Sequence, residues 1–328
     1  MRRATEGGEM TTYGYRVAEL FITRPRKQTP RIALTEPEAA GGLYQAVFKA
    51  ANDALARGEK DEVRRHYTRI SQVRADAWGI LLTVKGGDYG EPREVIDVDA
   101  DETLGNPRSI GQSDAVLSDF YSLLIIPPYG ESGLLITEVK GRSHLQGATL
   151  RQLNYKLRDL GVFLRITSDA VDAQAWREFL ADDAVGVTGV ELVQSTPSPD
   201  RTRFTSENVR RSWLHLDLEN GSQLKAKVVN ALRAMIGQPD RRPRLVGLVG
   251  LRDFADEDFD EERIITVRDG KERKLDVRSS WPRFTYRIDT EERLTAAEFV
   301  DEVASTARDA LTFLNVDVAA NWRPVVDD

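Results

Sequence analysis

Leu117-Ser118-Asp119-Phe120-Tyr121-Ser122-Leu123-Leu124-Ile125-Ile126, Pro127-Pro128-Tyr129-Gly130-Glu131-Ser132-Gly133 and Leu134-Leu135-Ile136-Thr137-Glu138-Val139-Lys140 follow one another directly in the chain. Two apolar runs of strand length flank seven turn-forming residues, which spells a hairpin with a long loop. Antiparallel neighbours need only such short connections. Upstream, His66–Val73, Trp78–Val84 and Val95–Val98 are further short strand candidates separated by turn signals. Lys85-Gly86-Gly87-Asp88-Tyr89-Gly90 reads as one of those turns. An aromatic and β-branched run, Tyr13–Ile22, supplies a first strand.

Helical patterns lie between these runs. Thr35-Glu36-Pro37-Glu38 looks like a capped helix start, with Leu43, Val47, Ala50, Ala51 and Ala54 on one face. That helix is expected to run to about Arg57 and stop at Gly58. Leu150, Leu153, Leu157 and Leu160 recur at helical spacing, which predicts a helix over 149–160. Phe163–Ile166 and Val187–Val193 read as strands, with Ala173–Ala181 a short helix between them. Beyond Ser195-Thr196-Pro197-Ser198-Pro199-Asp200, Ser212–Leu218, Arg244–Leu251, Ile264–Val267, Lys274–Val277 and Phe284–Ile288 are strand candidates, and 221–236 a helix. Thr295-Ala296-Ala297-Glu298 is a capping box opening an amphipathic helix to about Leu314. The expected class is α+β, mainly antiparallel sheets with helices packed on them. Two domains are expected, 12–197 and 198–328, parted at the polar, proline-bearing 195–200 stretch.

Composition narrows the chemistry. The 328 residues include no cysteine, so disulfides, thiol catalysis and Cys-ligated metals are excluded. His66, His144 and His215 are the only histidines and lie far apart in the chain, a poor basis for a His-rich metal centre. No apolar run approaches the ~20 residues of a membrane helix, so direct membrane insertion is not expected. The first residues lack a signal-peptide core, and the expected location is the cytoplasm. Walker A, G-x-S-x-G and G-x-G-x-x-G patterns do not occur.

The formal charge of −7 hides strong segregation. Residues 201–252 carry 11 basic against 4 acidic residues. Residues 253–262 hold seven acids and no base. Residues 263–287 carry 8 basic against 3 acidic. Arg201, Arg203, Arg210 and Arg211 follow the linker. Lys225, Lys227 and Arg233 lie on the next helix, and Arg241, Arg242 and Arg244 cluster after it. Arg263, Arg268, Lys271, Arg273, Lys274 and Arg278 flank a hairpin turn at Asp269-Gly270. Such segments suit a phosphate-binding surface, because neutralising phosphates releases condensed counterions. They equally suit solvated faces balanced by neighbouring acids. The acidic 253–262 stretch is expected to be a solubilising loop, with occupation of a basic surface as the alternative.

Asp119 on one strand and Glu138-x-Lys140 on the next resemble the PD-(D/E)xK nuclease core. That resemblance implies two carboxylates holding Mg²⁺ beside a lysine. Glu138 and Lys140, two apart, face one side of a strand. An exposed Glu/Lys pair at a strand end is the competing reading.

The tyrosine-bearing first strand (13–22), the early helix, the strand-rich part ending at Phe120–Lys140 and the late helix 295–314 together resemble the RexA-type phage-exclusion proteins. The likeness is one of layout. It implies sequence-independent binding to double-stranded DNA, a homodimer, a part in prophage-encoded antiviral defence and a membrane effector protein as partner. It implies no enzyme activity and no cofactor. The nuclease pattern departs from it and keeps a Mg²⁺-dependent alternative open.

Overall fold

The computed structural model describes residues 13–25, 30–55, 57–76, 78–91, 96–97, 102–103, 114–141, 143–168, 171–172, 174–176, 186–194, 212–219, 223–235, 244–251, 259, 261–268, 271–276, 284–290, 292–319 and 321–324. The class is α+β with antiparallel sheets. Two compact units are present: Met1–Ser168 with Thr285–Asp328, and Asp169–Phe284. The second is inserted in sequence between two parts of the first. The expectation from sequence cut the chain once, after residue 197.

In the first unit the strands are β1 (Tyr13–Thr23), β2 (Glu59–Asp61), β3 (His66–Asp76), β4 (Gly79–Asp88), β7 (Ser118–Ile125), β8 (Gly133–Lys140), β9 (Phe163–Thr167) and β14 (Tyr286–Ile288). The short pair β5 (Ile96–Asp97) and β6 (Glu102–Thr103) stands apart. The main sheet runs β14-β1-β8-β7-β4-β3-β2, with β9 beside the far half of β1. The hairpin read from sequence is β7–β8, paired from Ile125↔Leu134 to Ser122↔Thr137.

Side-chain alternation gives this sheet two apolar faces. On one, helix α1 (Leu43–Ala54) and helix α2 (Gln146–Leu157) share a core with Ile80, Leu82, Val84, Phe120, Leu124 and Leu135. Burying each such large side chain stabilises by about 1.5–3 kcal/mol. On the other, helix α5 (Ala296–Phe313) buries Phe299, Val300, Val303, Ala307 and Leu311. Phe299 meets the rings of Tyr121 at 5.3 Å and Tyr15 at 6.4 Å. The Thr295–Glu298 capping box forms as the sequence predicts.

Three local expectations change. Thr35 does not cap α1; Glu38–Ala40 make a 3-10 turn, and the helix begins after Gly42 with no side-chain cap. Gly41 and Gly42, at φ 78° and 92°, take non-helical backbone conformations that separate this turn from the helix, which therefore cannot run unbroken from Thr35. The glycines at 86 and 87 do not turn the chain, because β4 continues to Asp88. They admit close neighbours: a Cβ on Gly87 would stand 1.7 Å from the Val116 carbonyl oxygen. The third change lies in the second unit.

That unit holds β10 (Gly186–Gln194), β11 (Ser212–Asp217), β12 (Glu261–Arg268) and β13 (Lys271–Asp276), ordered β11-β10-β12-β13 and all antiparallel. Helix α3 (Gln223–Met235) packs on β10. Leu245–Leu248 form the short helix α4, where a strand was expected over Arg244–Leu251. Glu262, 4% exposed, accepts the Leu245 N–H at 2.9 Å and so satisfies a free donor at the helix start. Asp172, also buried, accepts the Phe284 N–H at 3.0 Å, and Trp176 meets the Phe284 ring edge-on. The 195–200 stretch and most of 253–262 and of Ala173–Ala181 lie outside the described residues. Among the described residues no helix is long and apolar enough to cross a membrane.

Candidate functional site

The β7–β8 ladder stops at Ser122↔Thr137, and the next residue on β8 is Glu138. Its carboxylate takes the place of a backbone acceptor: Oε2 receives the Tyr121 N–H at 2.8 Å. Glu138 is 2% exposed, so its charge needs a partner. Arg293, from the segment preceding α5, supplies it. Its Nε donates to Oε1 at 3.0 Å and its Nη2 to Oε2 at 2.9 Å, a two-pronged charge-assisted pair. The guanidinium carbon sits 4.0 Å above the Tyr121 ring, and Nη1 lies 3.9 Å from Asp119 Oδ2. Lys85, directly across from Asp119 in the β4–β7 pairing, holds its other oxygen at 3.4 Å.

Burial works against the Arg293 charge, yet the hydrogen-bonded Glu138 carboxylate, with Tyr121 and Asp119, outweighs it and holds the guanidinium above its usual value. Lys140 stands on the same end of β8, its ammonium 4.9 Å from the centre of the Phe120 ring. Burial, then repulsion from Arg293, pushes the Lys140 ammonium below the usual lysine value, with Glu138 and Asp119 opposing.

Asp119, Glu138 and Lys140 therefore come together at one end of the sheet, as their spacing predicts. The cation between the two carboxylates is Arg293. Both Glu138 oxygens are engaged, so a metal ion here would have to displace the guanidinium. Among the described residues no group of three or more His, Asp or Glu is placed to hold a metal. As built, the cluster is an ion lock tying the α5 segment to the sheet. Arg293 is 155 residues from Glu138 and had no motif to announce it. Its one signal is that it is the only base directly after Asp289, Glu291 and Glu292.

The basic candidates are distributed differently. Arg201, Arg203, Arg210, Arg211, Arg241, Arg242 and Arg278 lie outside the described residues. Arg233 is placed on α3, and Lys271, Arg273 and Lys274 on β13. The β12–β13 register sets Arg273 opposite Thr266 and Lys274 opposite Ile265, so these two positions fall on opposite faces. On α3, Lys227 is exposed while Lys225, about 200° round the helix, is half-buried. Arg244 is exposed just before α4. Arg263 is neutralised: it donates to Glu191 at 2.7 Å and is also paired with Glu261. His215 pairs with Asp217 at 3.0 Å on an exposed strand face.

No protein-family model, curated protein or solved structure matches the chain.

Proposed function

We propose that this chain is a cytoplasmic, sequence-independent binder of double-stranded DNA, acting as a homodimer in a prophage-encoded phage-exclusion system. The observation that carries the binding is the excess of 11 basic over 4 acidic residues in 201–252, inside a chain of net charge −7. Backbone phosphates demand only cations at suitable spacing, so such a segment confers affinity without base readout. The dimer, the exclusion role and a membrane effector partner rest on the RexA-type likeness of layout. The test is fluorescence anisotropy with duplexes of unrelated sequence, using the native chain and an Arg201→Gln/Arg203→Gln/Arg210→Gln/Arg211→Gln variant. Each lost phosphate contact lowers the salt slope by about 1, so the variant weakens on all duplexes alike and loses up to about 4 in slope. Unchanged affinity and slope reject the assignment of these residues.

A second reading, a Mg²⁺-dependent nuclease, is favoured by one observation, the meeting of Asp119 and Glu138 about a single cation. It requires Arg293 to leave. Plasmid nicking in Mg²⁺ or Mn²⁺ that is lost in Asp119→Asn supports it. No metal-dependent nicking by the native chain discards it.

A further inference from the structure

A cavity of about 570 Å³ opens in the first unit, at the end of the main sheet opposite Glu138, between the start of α1, the β3–β4 turn and Pro127-Pro128. We propose that this cavity binds a small organic ammonium ion carried on an apolar body.

The size is that of a small-molecule pocket, since these run to roughly 300–1,000 Å³. Its walls include Trp78, Tyr44, Leu34, Pro127 and Pro128, so an apolar body is received by apolar surface. Trp78 packs against Trp322, with ring centres 5.7 Å apart. The Pro127–Gly133 loop is pinned to the wall, because the Leu34 N–H donates to the Gly130 carbonyl at 2.8 Å. Tyr129, next in sequence to Pro128, leaves 78% of its surface bare.

Among the described residues that line the cavity the charge has one sign: Glu38 is there, and no Lys or Arg is. Asp76 acts on Tyr44 from the end of β3: burial raises the Tyr44 hydroxyl above its usual value, and the Asp76 charge raises it further. Glu36 nearby is already paired with Arg24 at 2.9 Å, whereas Glu38 and Asp76 make no ion pair among the described residues. An anionic ligand would meet the Glu38 carboxylate and, among the described lining residues, no cation. A cationic one meets Glu38 beside the Trp78 and Tyr44 rings, with the Asp76 charge acting from next to Tyr44, and aromatic rings attract ammonium groups.

The probes are choline and its uncharged isostere 3,3-dimethylbutan-1-ol, added to the full chain. Binding is followed on the Trp78 indole N–H resonance, assigned by its absence in Trp78→Phe, and by calorimetry. Choline is expected to shift that resonance saturably, with the neutral isostere at least about fivefold weaker. Glu38→Gln is expected to weaken choline about fivefold and to leave the isostere unchanged. Glu38 is exposed, so this variant and its calorimetric titration hold even if Trp78→Phe fails to fold. Equal binding of the two probes would show an apolar hollow that ignores charge and would overturn the proposal. So would the absence of any saturable shift, or a Glu38→Gln titration indistinguishable from native.

Discussion

Replacing Arg293 by Met keeps most of the side-chain stem and removes the fork that holds Glu138. Two charge-assisted hydrogen bonds go with it, each worth about 1.5–3 kcal/mol. The carboxylate left behind is 2% exposed and keeps only the Tyr121 N–H. Orphaning one partner of a buried pair costs about 3–5 kcal/mol. Arg293 is itself 23% exposed, so water can enter where it stood, and the lower end of that range applies. The expected loss is about 3 kcal/mol, read as a lower urea midpoint at unchanged slope. In the Arg293→Met/Glu138→Gln double variant the lone charge is gone, and the amide that replaces the carboxylate still offers an oxygen to the Tyr121 N–H. Its loss is therefore expected to fall about 1–2 kcal/mol short of the two single losses added together. An Arg293→Met loss under about 1 kcal/mol, or strict additivity, would refute the ion lock.

Three further outcomes follow from the packing. Thr295→Ala removes the N-cap of α5 and is expected to cost about 1 kcal/mol in urea unfolding. The Thr295 backbone and side chain hold the Glu298 carboxyl below its usual value, so that contribution is present above the ordinary glutamate range and lost as pH falls through the depressed value; the gap between native and variant midpoints should narrow in acid. Gly87→Ala drives a methyl into the Val116 carbonyl and should cost about 3 kcal/mol, measured as a thermal shift; a neutral result would mean that β4 and the 116–117 segment are not so apposed. Burial pushes the Tyr15 phenol up to about 12, opposed by its hydrogen bond to Thr306, so the folded state binds this proton more tightly than the unfolded chain. Stability from it is present below pH 10.0 and drains as pH rises toward about 12; ultraviolet titration should show a component near 12 that vanishes in Tyr15→Phe, while the other raised tyrosines, Tyr44 and Tyr121, persist.

What could be read in advance was what neighbouring residues decide. The capping box at Thr295 closes over three residues, and the apolar face of α5 repeats at a helical period, so both were legible. The alternation in 117–140 placed Glu138 and Lys140 on one face and Asp119 at the same end. Glycine was ambiguous because it serves two ends. At 41 and 42 its backbone freedom breaks a helix, whereas at 86 and 87 its missing side chain admits neighbours within a strand. The apolar run at 245–248 fits helix or strand equally, and the partner that goes with the helix, Glu262, stands 17 residues away. Arg293 was illegible for the same reason on a larger scale. Only the folded chain brings it to Glu138, and with it the pair that reads as a metal site becomes a guanidinium-filled lock.

Binding to DNA through its phosphates is the function proposed for this acidic chain. Its most direct test is equilibrium binding to several unrelated duplexes over a series of salt concentrations. Phosphate-led binding gives near-equal affinities that fall linearly on a log–log scale, with a slope of about −0.9 per phosphate contacted. Binding that ignores salt, or that singles out one sequence, would contradict it.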